Sequence, residues 1–334
     1  AKNSFTTWPV GSGYYGGGDR TGVELSWWKN HPNPVSIFAW NYEDDFLAGY
    51  DHGEDAGTVH VANHHVVNGK KFFLWGNNKQ ADMWEKMLTD TDGQYLELMV
   101  GAYSDNQPDY SWIAPYETRE FKQYWYPIKE IGGVKNANID AAVNLERITS
   151  HLVKAGFHTT SEFRSASVIL TVKNKEIFKE TIDIDPEDPF QKEINISPTA
   201  ADHEIKVLLI DNKGNEIISY SPVLPEETEM PEPVERPKDP TEYETNQELY
   251  LTGLRLEQFK NAALEPDAYY EEALQRDSLD YLVNNIMGIR ALKEGRFDQA
   301  EMHFRRSLQR ISKNYTSPKD GEAYFYLGVT MQDQ

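Results

Sequence analysis

Glu97 is a carboxylate set inside an apolar strand pattern, and the residues after it are rich in side-chain oxygen. Over residues 93–112 the chain reads GQYLELMVGAYSDNQPDYSW. Side chains alternate along a strand, so Tyr95, Glu97 and Met99 share one face and Leu96, Leu98 and Val100 the other. The loop that follows carries Asp105, Asn106 and Asp109 and ends on Trp112. A carboxylate delivered to a polar, ring-lined loop suits a small-molecule site, with Glu97 as general base or hydroxyl acceptor. His52, beside Asp51 in a turn flanked by Gly53, is the titratable residue that best complements it. Trp75 and Trp112 are assigned to stacking, because a sugar ring packs its C–H face on an indole while Asp, Asn and Glu take its hydroxyls. Trp125, inside a strand, is assigned to the core.

Other candidates carry less. His60 and His64 are spaced to share a face on a helix, but TVHVANHHVV alternates like a strand, so no metal site is read there. Asp90-Thr91-Asp92-Gly93 lacks the further carboxylates of a calcium loop and reads as a turn. The glycine-rich GSGYYGGGDR is not followed by Lys-Ser/Thr and reads as a flexible loop rather than a phosphate cradle. No cofactor is implied.

The 334 residues exceed one typical core, so two or three domains are expected. A formal charge of −21, from 33 Lys+Arg against 54 Asp+Glu, argues against a nucleic-acid partner. No apolar run is long enough for a membrane span. The absence of cysteine excludes disulfides and thiolate chemistry. The opening residues carry no signal-peptide pattern and read as the start of a mature fragment. An extracytoplasmic location, periplasmic or extracellular, would suit a sugar-handling protein, although no residue demonstrates export.

Residues 1–150 read as an all-β domain in which short aromatic and β-branched runs alternate with Gly, Asn, Asp and Pro. All eight Trp fall in it, the last at position 125. Residues 151–224 read as a small immunoglobulin-like β-sandwich and include a hairpin, 204–210 and 216–220, around DNKGN. Residues 225–240, PEETEMPEPVERPKDP, form an extended Pro/Glu linker. Residues 241–334 switch to helical periodicity.

In that last region Met287-Gly288, Gly295, Phe297, Ala300 and Phe304 fall where tetratricopeptide repeats place their small and large residues. Copies begin near Gly253 and at Tyr324-Phe325-Tyr326-Leu327-Gly328, 35 residues before and 40 after Gly288. The final copy holds one helix, so the natural protein is expected to continue. The resemblance implies a protein partner held by the helical repeats.

The run YLELMVGAYSDNQPD resembles the catalytic strand of galactose-mutarotase-like proteins, and IAPYET with REFKQYWYPI resembles that superfamily's turn into a long strand. The resemblance puts Glu97 at the position of the base that takes the anomeric hydroxyl proton. Met99 stands where the family has Gln, and His52 enters by residue type alone. Across about residues 4–150 the chain is also similar to the family named domain of unknown function 5107, which places such a sandwich ahead of tetratricopeptide repeats. An additional β region normally precedes this stretch in that family, so the chain reads as the back part of a larger sandwich. The expectation is a multidomain β + α protein that binds or processes carbohydrate. Its chemistry would be acid/base work at an anomeric carbon. The alternative is a non-catalytic scaffold.

Overall fold

The computed structural model describes residues 5–40, 42–103, 113, 118–224, 235–258, 264–315 and 317–333. By contacts the chain forms two compact units. One comprises Ala1–Ala102 with Phe121–Pro231, and the other Tyr103–Glu120 with Glu232–Gln334.

The first unit opens on a small hairpin, β1 (Tyr14–Tyr15) with β2 (Gly18–Asp19). Six strands and one helix follow: β3 (Val35–Phe38), β4 (Phe46–Asp51), β5 (Ala56–Val61), β6 (Lys71–Leu74), helix α1 (Ala81–Leu88), β7 (Glu97–Met99) and β8 (Tyr124–Lys129). They make two antiparallel three-stranded sheets, ordered β3-β6-β7 and β4-β5-β8. Leu96 and Leu98 lie against Gly49 of β4, where a Cβ would sit 3.1 and 3.2 Å from their methyls. That contact packs one sheet on the other.

The reading of residues 1–150 as wholly β is corrected by α1. Its sequence signal is a cap: the Asn78 Oδ1 accepts the N–H of Gln80 (2.9 Å) and of Ala81 (3.0 Å), satisfying donors that a helix start leaves open. Ala81 is buried, which anchors the first turn.

Eight further strands build a sandwich: β9 (Asn136–Ala137), β10 (Ala141–Thr149), β11 (Leu152–Thr159), β12 (Phe163–Val172), β13 (Lys175–Ile184), β14 (Phe190–Asn195), β15 (Ile205–Ile210) and β16 (Glu216–Tyr220). Two four-stranded antiparallel sheets, β14-β11-β10-β9 and β13-β12-β15-β16, enclose Val143, Phe157, Val168, Leu170, Val207 and Leu209. β15 and β16 are the hairpin around DNKGN.

The apolar start of β10 has no alternation because both its faces are covered. Ala141, Val143 and Leu145 point into the sandwich, whereas Ala142 joins Val59, Val61 and Ile128 of the β4-β5-β8 sheet in a second core. Tyr50 fixes this junction: its hydroxyl accepts the N–H of Ile131 (3.2 Å) and Gly132 (3.0 Å) and donates to Asp55 (2.5 Å).

The second unit holds α2 (Asn246–Gln258), α3 (Asp267–Arg276), α4 (Tyr281–Lys293), α5 (Phe297–Ile311) and α6 (Glu322–Asp333). Thr245 and Glu248 cap α2 reciprocally, and Asp280 caps α4 through the Val283 N–H. Helices adjacent in sequence pack as pairs. At Gly253 a Cβ would lie 2.5 Å from the Tyr270 ring, and at Gly288 one would lie 2.6 Å from the Phe304 ring. Only glycine permits so close an approach, which is the small-against-large pairing expected of tetratricopeptide-like repeats. No helix among the described residues is long and apolar enough to cross a membrane.

Candidate functional site

Glu97 opens β7 and pairs across the ladder with Phe73 of β6, while Leu98 pairs with Phe72. Since Leu98 points toward β4, the period of two turns Glu97 to the outer face of the sheet. On that face the Phe73 ring meets Trp75 edge-on at 4.9 Å, and Trp75 stacks on Trp84 at 4.7 Å with 10° between planes. Trp84 comes from α1, so the helix that the sequence pattern hid supplies one wall of the aromatic cluster.

Tyr95 ties this face together. Its backbone N–H donates to the Glu85 carboxylate of α1. Burial, then the neighbouring Glu97 carboxylate, raise the Tyr95 pKa, so the phenol stays protonated. Glu85 is the residue that sequence reading missed; it becomes visible only once α1 is recognised from its Asn78 cap. The second Glu85 oxygen and the Trp75 indole N–H are buried without a partner among the described residues. Two carboxylates thus flank one tyrosine beside a stack of indoles. Such a surface can accept hydrogen bonds from hydroxyls and pack against C–H groups.

His52 lies elsewhere. It is exposed in the turn after β4, its ring stacked on Trp27 at 4.8 Å and edge-on to Tyr50 at 5.2 Å. No hydrogen bond or ring contact joins it to Glu97 among the described residues, and Glu97 faces away from the sheet to which β4 belongs. The structure therefore does not bring the expected acid and base together. Trp75 sits in the aromatic cluster, and Asp105, Asn106, Asp109 and Trp112 lie outside the described residues. Trp125, expected in the core, is 46% exposed and packs its ring on His60 at 4.8 Å.

A cleft of about 510 Å³ opens at a different place, lined by Glu43, Asp44, Asp45, His64, Asn136 and Asn138 among others. Its polar groups are largely engaged by the fold. The Asp45 carboxylate accepts both the backbone N–H (2.9 Å) and ring Nδ1 (2.8 Å) of His64. Burial alone would raise the Asp45 pKa, but these bonds and the nearby His64 and Lys70 charges bring it below the usual range. Asn136 and Asn138 donate to the carbonyls of Ser219 and Ile217 on β16. His60 is buried in β5 and bonded to Gln123, and burial lowers its pKa. No group of three or more His, Cys, Asp or Glu that could hold a metal ion occurs among the described residues.

Residues 9–128 match the family described as Domain of unknown function (DUF5107), and residues 136–220 match YphG-like protein, second domain. Among solved structures the chain is similar to a TPR-domain containing protein from Parabacteroides distasonis at 9% identity, covering 91% of this chain and 39% of that one. The TM-score is 0.22, too low to carry a statement about shared fold. The chain thus spans well under half the length of that relative. Its recognisable sequence content is a domain of unknown function 5107 followed by the second domain of YphG-like proteins.

Proposed function

We propose that the DUF5107 domain binds carbohydrate on the outer face of the β3-β6-β7 sheet, and that the helical repeats hold a protein partner. The observation that carries this reading is the Tyr95–Glu97 pair beside Phe73, Trp75 and Trp84. Glu97 would accept hydroxyl protons in hydrogen bonds, and the exposed side of the indole stack would take the ring's C–H face. The resemblance of YLELMV to the galactose-mutarotase strand supports the same residue as the base at an anomeric carbon. Tyr95, whose pKa the Glu97 carboxylate helps to raise, is proposed in place of His52 as the donor beside it. A thermal-shift screen of mono- and oligosaccharides tests the reading. A stabilising sugar whose effect disappears in both Glu97→Gln and Trp75→Ala supports it; no shift with any sugar refutes it.

A second reading, a non-catalytic assembly scaffold, is favoured by one observation. α6 exposes Tyr324 (47%), Phe325 (65%) and Met331 (56%), an apolar surface.

A further inference from the structure

α1 is 8 residues long, and an isolated helix of that length does not hold in water, so its place depends on what ties it down. Its N-terminal end is tied firmly. The Asn77 N–H and side-chain amide donate to the carbonyls of His31 (2.9 Å) and Lys29 (2.6 Å), and the Asn78 amide donates to that of Pro32 (2.8 Å). Past Ala81, its one buried side chain, α1 is held at three points. Glu85 accepts the Tyr95 N–H, Trp84 lies on Trp75, and the Thr89 hydroxyl donates to the Gly93 carbonyl at 2.6 Å. Gly93 itself has φ +101°, a backbone that turns freely only in glycine. Two polar atoms lose by this arrangement. The second Glu85 oxygen and the Trp75 indole N–H are buried without a partner among the described residues. Both would meet water if α1 moved away, so each weights the balance toward opening.

We infer that α1 is a strap that opens as one body between Asn78 and Gly93, with Glu85 as its latch, and that its closing assembles the indole platform. Glu85 is thus a positioning residue, acting on the platform through Tyr95 and Trp84 without touching a ligand. What the platform receives rests on the carbohydrate reading; the motion does not. Only the latched form brings Trp84 onto Trp75 on the Glu97 face of the sheet, so only that form is competent to bind. Open molecules lower the apparent affinity in proportion to their fraction, and a ligand on the closed platform shifts the balance back.

Hydrogen exchange of the full chain, followed by proton–nitrogen NMR, tests the strap. The Trp75 indole N–H and the Tyr95 backbone N–H are expected to exchange through one shared opening, with equal protection, well before the amides of β4, β5 and β8. Glu85→Ala is expected to speed exchange of the Trp75 indole proton about tenfold or more, the effect of losing a hydrogen bond to a charged group. A residue that merely bonded Tyr95 would leave that indole unmoved. Glu85→Gln keeps an acceptor for the Tyr95 N–H and is expected to restore most of the protection. A sugar that raises the thermal midpoint is expected to slow both protons. Three results would each overturn the inference: both protons exchanging only with global unfolding, Trp75 exchange indifferent to Glu85→Ala, or a sugar that raises the midpoint without slowing either proton. The carbohydrate reading fails separately, by the lack of any stabilising sugar, while the shared opening still stands or falls on the two protons.

Discussion

Gly288 approaches the Phe304 ring so closely that an added Cβ would sit 2.6 Å from the ring edge, and Gly253 repeats the relation with Tyr270 at 2.5 Å. Both rings are fully buried and central to their helix pairs, so neither can step aside cheaply. Gly288→Ala and Gly253→Ala are each expected to destabilise the helical unit by about 1–3 kcal/mol through overpacking. Gly328→Ala, in open space, should instead stabilise α6 by about 0.5–1 kcal/mol through helix propensity. Urea unfolding of the whole chain followed by far-UV circular dichroism would separate the two signs.

Tyr50 joins β4 to the segment leading into the second sandwich by two accepted hydrogen bonds, from Ile131 and Gly132, and donates its own proton to Asp55 in the turn after β4. Burial first, then the Asp55 carboxylate, push its pKa up to about 12, consistent with a phenol held neutral. Tyr50→Phe keeps the ring but leaves the N–H groups of Ile131 and Gly132 unpaired at a packed junction. The expected cost is about 1–3 kcal/mol, read as a fall in the denaturation midpoint of the first unit. An unchanged midpoint would show that water replaces the hydroxyl without penalty.

His303 is buried in α5, with its Nδ1 bonded to the Asn284 Oδ1 at 3.0 Å. Asn284 spends its own amide donors on the carbonyls of Ser278 and Asp280, so His303 is the donor through Nδ1. Burial, reinforced by the Arg306 and Arg296 charges, lowers its pKa from 6.5 to about 4. Between those values the unfolded chain binds the proton and the folded chain does not, so stability falls as pH drops through this window. The loss is expected to reach up to roughly 3 kcal/mol. His303→Gln should remove that component of the pH dependence, as measured by denaturation at a series of pH values.

Much of the fold was written locally. The alternation of Leu96, Leu98 and Val100 against Glu97 tells which way β7 faces, because a strand reverses its side chains at every residue. The hairpin around DNKGN and the glycines that meet Tyr270 and Phe304 were legible for the same reason, since each is a short-range pattern. What escaped depends on contacts far apart in sequence. The run AAVNLE reads as an ordinary strand, and nothing in it announces that Ala142 and Val143 enter different cores. α1 was hidden among aromatic runs, its two turns too short for a periodic signal, and Glu85 was hidden with it. Trp125 looks like core by composition, yet the ladder places it beside His60 with 46% of its surface exposed. His52 and Glu97 looked like partners by residue type, while the register of β6 and β7 aims the carboxylate at indoles.

The sugar-binding proposal stands or falls on whether a saccharide touches the indoles beside Glu97. Saturation-transfer difference NMR, run with the sugar that gives the largest thermal shift, reads this contact directly. Strong transfer to the C–H protons of one ring face is expected in the native chain, with loss of the signal in Trp84→Ala and in Glu97→Gln. Equal transfer in all three proteins, or none in the native chain, would contradict it.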